Sequence, residues 1–250
     1  MFDGYRTFQT AMGDMSPKGP IETMTTTTDF AVADNRAAIR KSGLPTGRIA
    51  ILTADRVEDV EFFYPYYRFT EAGYDVDVLA PGGAEVNGYK GLALRTGVQP
   101  IDGARAVDYD ALFIPGGLAP SELRELPAAI DFVSDFAATG RLIGAVCHGP
   151  QVLISAGLVD GRRMTSWKDV ATEVRAAGAE YVDEPVVEDG QFITARKPGD
   201  MPLELARFLE RLDAEKAQQA RQAQQAQRTQ QAQQAQQADE NENTEGASDE

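Results

Sequence analysis

The sequence predicts an α/β protein in which helices cover both faces of a mostly parallel sheet. Three short apolar runs, at 49–52, 111–114 and 142–146, are each followed by turn residues and then by a helical pattern. Continuous rather than alternating apolar runs are typical of strands that are buried on both faces, as the central strands of parallel sheets are. Strands that alternate with helices in this way predict a three-layer sandwich.

The helices and the remaining strands are predicted from hydrophobic periodicity and from the glycines that follow the helical patterns. Helical patterns cover about 58–72, 120–139, 148–156, 168–177 and 202–213. The first four are each followed by a glycine that can supply a left-handed cap, namely Gly73, Gly140, Gly157 and Gly178. The alternating stretch 74–80 adds a strand, 85–96 predicts a small hairpin, and 185–195 predicts a late strand pair.

By composition the chain divides into three parts. Residues 1–46 lack a strand signal and are expected to form a flexible extension with one short helix at about 29–41. Residues 47–213 hold the strand and helix pattern of the α/β domain. Residues 214–250 are rich in Gln and Ala, then acidic, and have no apolar stripe to bury, so we expect a frayed helix or a disordered tail without a catalytic role. A self-association or partner-binding arm is the alternative.

Charge and hydropathy narrow the class of protein. The formal net charge is -15, from 39 acidic and 24 basic residues, and such a surface repels nucleic acid and acidic membranes. No segment approaches 18 consecutive apolar residues, and the first residues lack a basic region followed by an apolar one. We therefore expect a cytoplasmic protein that binds neither nucleic acid nor membrane.

Cys147 is the candidate nucleophile. As the only cysteine it can form neither an internal disulfide nor a multi-thiolate zinc site, which leaves either reactivity or an inert small hydrophobe. It follows the apolar run 142–146 and precedes His148-Gly149-Pro150 and a helix. Such a strand-to-helix turn holds a side chain in a strained position at the carboxyl edge of the sheet, and the helix amino terminus favours the thiolate. This arrangement predicts activation without a metal or a cofactor.

Four further residues are candidates for the same site. His148 is the only histidine, so imidazole chemistry depends on it, although its backbone N–H is an alternative contribution. Gly116 and Gly117 end the second apolar strand, where the N–H of Gly117 and that of His148 could hold an oxyanion. Glu58 lies near the start of the first helix, at the carboxyl edge that also carries Cys147, where a carboxyl could share a proton with the sulfur and show a raised pKa.

These stretches in combination resemble the ThiJ/PfpI superfamily, which includes the PfpI-type intracellular peptidases and the Parkinsonism-associated deglycase. The resemblance covers about 48–213 and lies in four stretches: ILTADRVEDVEFFYPYYRFTEAGYDVDVLAPGG, ALFIPGGLAPSELR, GAVCHGPQVLISAGLVDGRRMTSW and TARKPGD. It implies a flavodoxin-like sandwich that assembles into homodimers or larger homo-oligomers. It also implies Cys147 as nucleophile, Glu58 as the carboxyl that touches it, His148 as its partner and Gly117 as an oxyanion donor.

The chain departs from the PfpI-type pattern at two places. In those peptidases a glutamate from a neighbouring subunit completes the triad at the position after Leu-Ala-Pro, where this chain has Ser121, with Glu122 one residue later. A shift of one helical position turns a side chain by about 100°, which weakens the prediction of an intersubunit triad. Trp167 stands where the family commonly has a phenol, so one hydrogen bond at the site is lost.

Three functions compete on this evidence. The first is a deglycase or cofactor-independent glyoxalase that acts on small carbonyl compounds or on glycated proteins and peptides, and it is preferred because it needs no third triad member. The second is a cysteine peptidase with His148 as base. The third is a non-catalytic stress sensor or chaperone in which Cys147 is oxidised.

Overall fold

The computed structural model describes residues 47–91, 93–94 and 97–246, and it describes their side chains except at 232 and 235–246. The extension at 1–46, with the helix predicted at about 29–41, lies outside these residues.

The centre of the fold is a seven-stranded sheet that contains every strand predicted from an apolar run. Its strands are β1 (Arg48–Leu52), β2 (Asp75–Ala80), β5 (Val98–Pro100), β6 (Ala111–Ile114), β7 (Leu142–Val146), β10 (Val186–Asp189) and β11 (Phe192–Ala195). Their order in the sheet is β10-β11-β7-β6-β1-β2-β5, and all neighbours are parallel except the pair β10 and β11. The predicted fold class, an α/β sandwich around a mostly parallel sheet, is confirmed.

Two small pairs of strands lie outside this sheet. The first is the antiparallel pair β3 (Val86–Asn87) and β4 (Ala93–Leu94), which is the hairpin predicted at 85–96. The second is the parallel pair β8 (Arg163–Met164) and β9 (Glu180–Tyr181), which the hydropathy pattern did not predict. Strands of two residues are too short to produce a recognisable period.

The helices follow the predicted order with one difference. They are α1 (Asp59–Glu71), α2 (Ala119–Leu123), α3 (Pro127–Ala138), α4 (Pro150–Ser155), α5 (Ala171–Ala176) and α6 (Met201–Gly246). The single helix expected at 120–139 is therefore two helices. Pro127 explains the break, because proline disfavours helical geometry in the residue before it while suiting the first turn of a new helix.

Aromatic packing joins α1 and α6 to the sheet. The ring of Phe69 lies 5.6 Å from that of Phe113 and 5.2 Å from that of Phe208. A side-chain carbon at Gly144 would come within 2.7 Å of the Phe113 ring, so the glycine in β7 makes room for this cluster. Each fully buried phenylalanine contributes roughly 1.5–3 kcal/mol of burial free energy.

The helix α6 has a docked part and an exposed part. Met201, Leu205, Phe208 and Leu212 are buried at helical spacing. The Tyr74 hydroxyl then donates to Asp213 at 2.8 Å. The helix continues through the Gln/Ala-rich tract, whose described side chains from 217 onward are exposed. The change of composition near 213 therefore changes what the helix contacts and leaves its secondary structure unaltered.

Candidate active site

Cys147 occupies a strained turn directly after β7. Its φ is 61°, in the left-handed region that residues with a side chain seldom adopt, which costs on the order of 1–3 kcal/mol. Backbone hydrogen bonds of Cys147 to two other segments hold the turn: the Cys147 N–H donates to the Ala195 carbonyl at 2.9 Å, and its carbonyl accepts from the Trp167 N–H at 2.8 Å. The predicted strained strand-to-helix turn is confirmed, and the nucleophilic role of Cys147 stays a prediction.

Gly116 and Gly117 let the loop after β6 approach this turn. A side-chain carbon at Gly116 would lie 2.7 Å from the Cys147 Cβ and 2.8 Å from the His148 nitrogen. At Gly117, where φ is 75°, it would lie 2.3 Å from the Glu58 nitrogen. The N–H groups of Gly117 and His148 both donate to the Cys147 sulfur. The two predicted oxyanion donors therefore do converge at the sulfur, while their action on an oxyanion stays a prediction.

The carboxyl that contacts Cys147 belongs to Glu61. Its side chain is fully buried and hydrogen-bonds to the Cys147 thiol, and its Oε2 accepts from the Gly116 N–H at 2.9 Å. The prediction that Glu58 makes this contact is wrong. Glu58 is the extended residue before α1, and its Oε1 pairs with the Lys90 ammonium at 2.5 Å at the cavity mouth.

Helical geometry explains why Glu61 rather than Glu58 contacts the Cys147 sulfur. Glu61 lies four residues before Pro65 and eight before Phe69, and all three are buried on the inner face of α1. The same spacing is visible in the sequence, so it could have identified Glu61. Distance from the strand does not separate Glu58 from Glu61, whereas their positions around the helix do.

Burial and mutual contact set the proton affinities of the Cys147–Glu61 pair. Burial raises the pKa of Glu61 to about 7, against the opposing effect of hydrogen bonds from Cys147 and Gly116. Burial also raises the pKa of the Cys147 thiol, and the charge of Glu61 raises it further, more than the Gly117 and His148 N–H groups lower it. The expectation of a thiol pKa lowered by the helix terminus is therefore wrong. The pair loses one proton near neutrality and retains the other, because two adjacent buried anions repel each other.

The His148 imidazole lies next to the sulfur. Its Nδ1 is 3.2 Å from the Cys147 Sγ, so the adjacent side chains do not point apart. Burial lowers the pKa of His148, against the attraction of Asp169, and the ring is neutral at pH 7. A neutral imidazole can accept a proton from the thiol or return one. The indole N–H of Trp167, in place of a phenol, donates to Asp169 at 3.2 Å.

Ser121 and Glu122 lie away from the sulfur. Both are exposed on the short helix α2, and neither lines the cavity described below. A triad completed across a subunit boundary stays a prediction, as does the expected homodimer or larger assembly.

A cavity of about 390 Å³ opens above Cys147. Its walls combine polar groups near the sulfur with apolar surface from Leu118, Trp167 and Pro198, as small-molecule sites commonly do. Tyr89 and Lys90 form the mouth, held by donation from the Lys90 N–H to Asp59 at 2.7 Å. Sequence reasoning missed these two residues, because only tertiary packing brings the β3–β4 hairpin to the edge of the sheet.

Two classes of feature are absent from the described part of the chain. Its His, Cys, Asp and Glu side chains nowhere gather in a group of three or more that could hold a metal ion. Among the same residues, no helix combines the length and apolar character that crossing a bilayer requires.

Curated proteins with related sequences include two deglycases and a protein named as a candidate cysteine protease. Protein/nucleic acid deglycase 2 of Escherichia coli is 41% identical over 157 residues, which is 62% of this chain and 91% of the relative. Deglycase PfpI of Pyrococcus furiosus is 34% identical over 165 residues, or 66% of this chain and 99% of the relative. YraA of Bacillus subtilis, the candidate cysteine protease, is 36% identical over 155 residues, which is 62% of this chain and 91% of the relative.

A solved structure and a family profile agree with these relatives. A two-domain Anabaena variabilis protein with DJ-1/ThiJ/PfpI-like and ferritin-like domains matches with a TM-score of 0.65 and 38% identity, over 67% of this chain and 48% of its own. The profile of the DJ-1/PfpI family matches residues 47–211. This chain therefore belongs to the DJ-1/PfpI family.

Proposed function

We propose that the protein is a cysteine-dependent enzyme that acts on small reactive carbonyl compounds or on the adducts they form with proteins. The buried Cys147–Glu61 pair carries the proposal. It holds one exchangeable proton near neutral pH beneath a small cavity, and two backbone N–H groups point at the sulfur. Two relatives named as deglycases support this class of substrate.

The proposed reaction begins with transfer of the thiol proton to Glu61, which places a thiolate beside a neutral acid. The sulfur adds to the aldehyde carbon of a 2-oxoaldehyde, and the carbonyl electron pair moves to the oxygen, which takes the proton from Glu61. The Gly117 and His148 N–H groups lie where they can stabilise the developing negative charge. The product of this step is a hemithioacetal.

The hemithioacetal is converted by proton transfer alone. A base, Glu61 or the neutral His148 ring, removes the proton from the sulfur-bearing carbon while the neighbouring carbonyl oxygen takes up a proton, which gives an enediol. The neighbouring carbon then takes up a proton and the hydroxyl on the sulfur-bearing carbon loses its own, which leaves the thioester of a 2-hydroxy acid. Water hydrolyses the thioester to a 2-hydroxy acid and frees the thiol. The substrate carbon pair is oxidised at one carbon and reduced at the other, so no external oxidant or reductant is required.

A peptidase is the second candidate, and the contact between His148 and Cys147 favours it. An imidazole nitrogen 3.2 Å from a cysteine sulfur is the pairing that cysteine peptidases use. The relative YraA supports this alternative. The ring still needs a carboxylate to orient it, and Asp169, which is near enough to influence the pKa of His148, already accepts from Trp167.

The discriminating experiment compares substrates on one preparation. Purified protein and its Cys147→Ser variant are assayed with methylglyoxal, with methylglyoxal-treated peptide and with an unmodified fluorogenic peptide. We expect lactate from the first two, lost by at least about 10³-fold in the variant, and no cleavage of the third. Peptide cleavage without lactate would favour the peptidase. Peroxide oxidation of Cys147 with no turnover of any substrate would overturn both enzymatic proposals.

A further inference from the structure

The cavity above Cys147 is larger than a free aldehyde requires. Its volume is about 390 Å³. A three-carbon 2-oxoaldehyde has five heavy atoms and takes up on the order of 150 Å³, if each atom occupies roughly the 30 Å³ of a water molecule in the liquid. An aldehyde bound at the sulfur therefore leaves more than half of the cavity for a second group. An adduct fills this space, because it also carries the amino-acid side chain with which the aldehyde condensed.

The indole of Trp167 forms part of the wall beside this space. Its N–H edge is engaged, since the indole N–H donates to Asp169 at 3.2 Å. Its backbone is fixed next to the reactive turn, because the Trp167 N–H donates to the Cys147 carbonyl at 2.8 Å. A phenol at this position would present a hydroxyl to a ligand. The indole presents aromatic surface instead.

The charges of the cavity favour a positively charged second group. The described lining holds one cation, the ammonium of Lys90, which is paired with the carboxylate of Glu58. The Cys147–Glu61 pair carries one negative charge above the pH at which it loses its first proton, about 7. No charge of the lining balances this one. Above neutrality the cavity therefore attracts a cation and repels an anion.

The surroundings of Trp167 already accommodate a cation. The ammonium of Lys168 lies 5.9 Å from the centre of the indole ring, at the outer limit of a cation–π contact. Its side chain is exposed, so the contact is weak and leaves the ring available to a ligand. A guanidinium is planar and stacks on aromatic rings in a way that an ammonium cannot. Addition of an aldehyde to one guanidinium nitrogen leaves the group planar and charged.

We propose that Trp167 forms a subsite for the guanidinium of arginine, so that the enzyme prefers carbonyl adducts of arginine to those of lysine. The guanidinium plane stacks on the indole while the carbon bonded to its nitrogen lies at the Cys147 sulfur, which lines the same cavity. Trp167 is thus a specificity-determining residue. The preference among adducts rests on the proposed function, whereas binding of the guanidinium requires no turnover.

Fluorescence of Trp167, the only tryptophan, tests the subsite without turnover. The wild-type chain is titrated at pH 8 with N-acetylarginine amide, with the citrulline analogue, which is planar but neutral, and with the lysine analogue, which is charged but not planar. We expect the arginine compound to change the emission saturably and to bind about tenfold more tightly than the other two. Equal affinity for either analogue, or no change in emission, would overturn the proposal.

Substitution of the indole tests the preference among substrates. The quantity measured is the ratio of kcat/KM for methylglyoxal-treated N-acetylarginine to that for methylglyoxal-treated N-acetyllysine. Trp167→Leu should lower this ratio about tenfold, through the KM of the arginine adduct, whereas Trp167→Phe keeps an aromatic ring and should hold the ratio within about threefold. Tyr64→Leu removes an exposed ring of α1 outside the cavity lining and is the matched control.

The outcomes separate the subsite from the reaction. An unchanged ratio in Trp167→Leu, or an equal fall in Trp167→Phe and Tyr64→Leu, would contradict the proposed subsite. If Trp167→Leu does not fold, the fluorescence titration of the wild-type chain decides alone. Selective binding of the arginine compound without turnover of any adduct would support the subsite and refute the proposed function. Turnover of adducts without selective binding would do the reverse.

Discussion

The cavity has a glutamate at its floor, which Cys147 and Glu61 form, and another at its mouth, beside Tyr89 and Lys90. The surroundings of the two glutamates differ. On the floor, Glu61 is fully buried against Cys147, and burial raises its pKa to about 7. At the mouth, Glu58 pairs with Lys90, whose side chain is 64% exposed. One helical turn therefore separates a carboxyl that can exchange a proton with the sulfur from one that forms a rim ion pair. Burial and helical face, rather than residue type or distance along the chain, assign the chemistry.

The largest expected effect on activity is that of replacing Glu61, and the matched replacement of Glu58 tests the difference between the two glutamates. Glu61→Gln should reduce kcat/KM for carbonyl substrates by about 10²–10⁴-fold, because an amide cannot exchange the proton of the thiol. Glu58→Gln should stay within about threefold of wild type, because the rim carboxylate does not touch the sulfur. Steady-state kinetics with methylglyoxal measure both, and thermal unfolding confirms that both variants are folded. Equal losses of kcat/KM in the two variants would contradict the different roles given to Glu61 and Glu58.

Gly116→Ala tests whether the floor depends on close backbone approach. The new carbon would meet Glu61 Oε2 at 2.6 Å and the Cys147 Cβ at 2.7 Å, so we expect a loss of activity of about 10²-fold and a destabilisation of about 1–3 kcal/mol. Gly199→Ala is the matched control, because nothing lies within 4 Å of the added carbon there. Chemical denaturation and kcat/KM are the measurements. An alanine at 116 that leaves both unchanged would contradict the close packing of the floor.

The pH dependence of kcat/KM should report the ionisation of the Cys147–Glu61 pair and not that of Glu58. The fully protonated Cys147–Glu61 pair is inactive and loses its first proton near the raised pKa of Glu61, about 7. Activity should therefore fall as the pH is lowered through this value, approaching tenfold per unit below it. The transition should persist in Glu58→Gln and disappear from the residual activity of Glu61→Gln. A midpoint close to 4.5 would mean that burial does not perturb the carboxyl.

The smallest predicted effect concerns protein stability and a second buried carboxyl, that of Glu204, which lies in the first turn of α6 and is fully buried. The folded state holds the proton of Glu204 to higher pH than the unfolded chain does, because burial raises its pKa. Wild-type stability is consequently lost as the pH rises above about 4.3, the unfolded value. Glu204→Gln removes this cost, so the stability of the variant should match that of wild type at pH 4 and exceed it at pH 8. Urea unfolding at the two pH values measures the difference, and a constant difference would show that Glu204 does not titrate as stated.

Much of the fold could be read from the sequence because its signals are local. The runs at 49–52, 111–114 and 142–146 are apolar throughout, and each is a buried central strand. The position of Cys147 between such a strand and Gly149-Pro150 was enough to predict the strained turn. The two-residue strands β8 and β9 could not be predicted in this way, because they are defined by pairing with each other rather than by a period of their own.

The candidate site was only partly predictable, since its electrostatics come from contacts between distant segments. Cys147, His148 and the two glycines were identified from their places after β7 and β6. Glu61 was missed although its helical spacing was visible, and Lys90 was missed because only the packing of the hairpin brings it to Glu58. The direction of the thiol pKa was also wrong, because no sequence pattern states how much water and which charges surround a sulfur.

By itself, the sequence determined the order of the main-sheet strands and most of the helices, the family resemblance and the turn that presents Cys147, because hydrophobic periodicity and the backbone preferences of glycine and proline act over a few residues. Only the tertiary structure decided which carboxyl contacts the sulfur, which carboxyl lies at the cavity mouth, and that Glu204 is buried. Proton affinity depends on desolvation and on charges a few ångströms away, and residues far apart in the chain supply both.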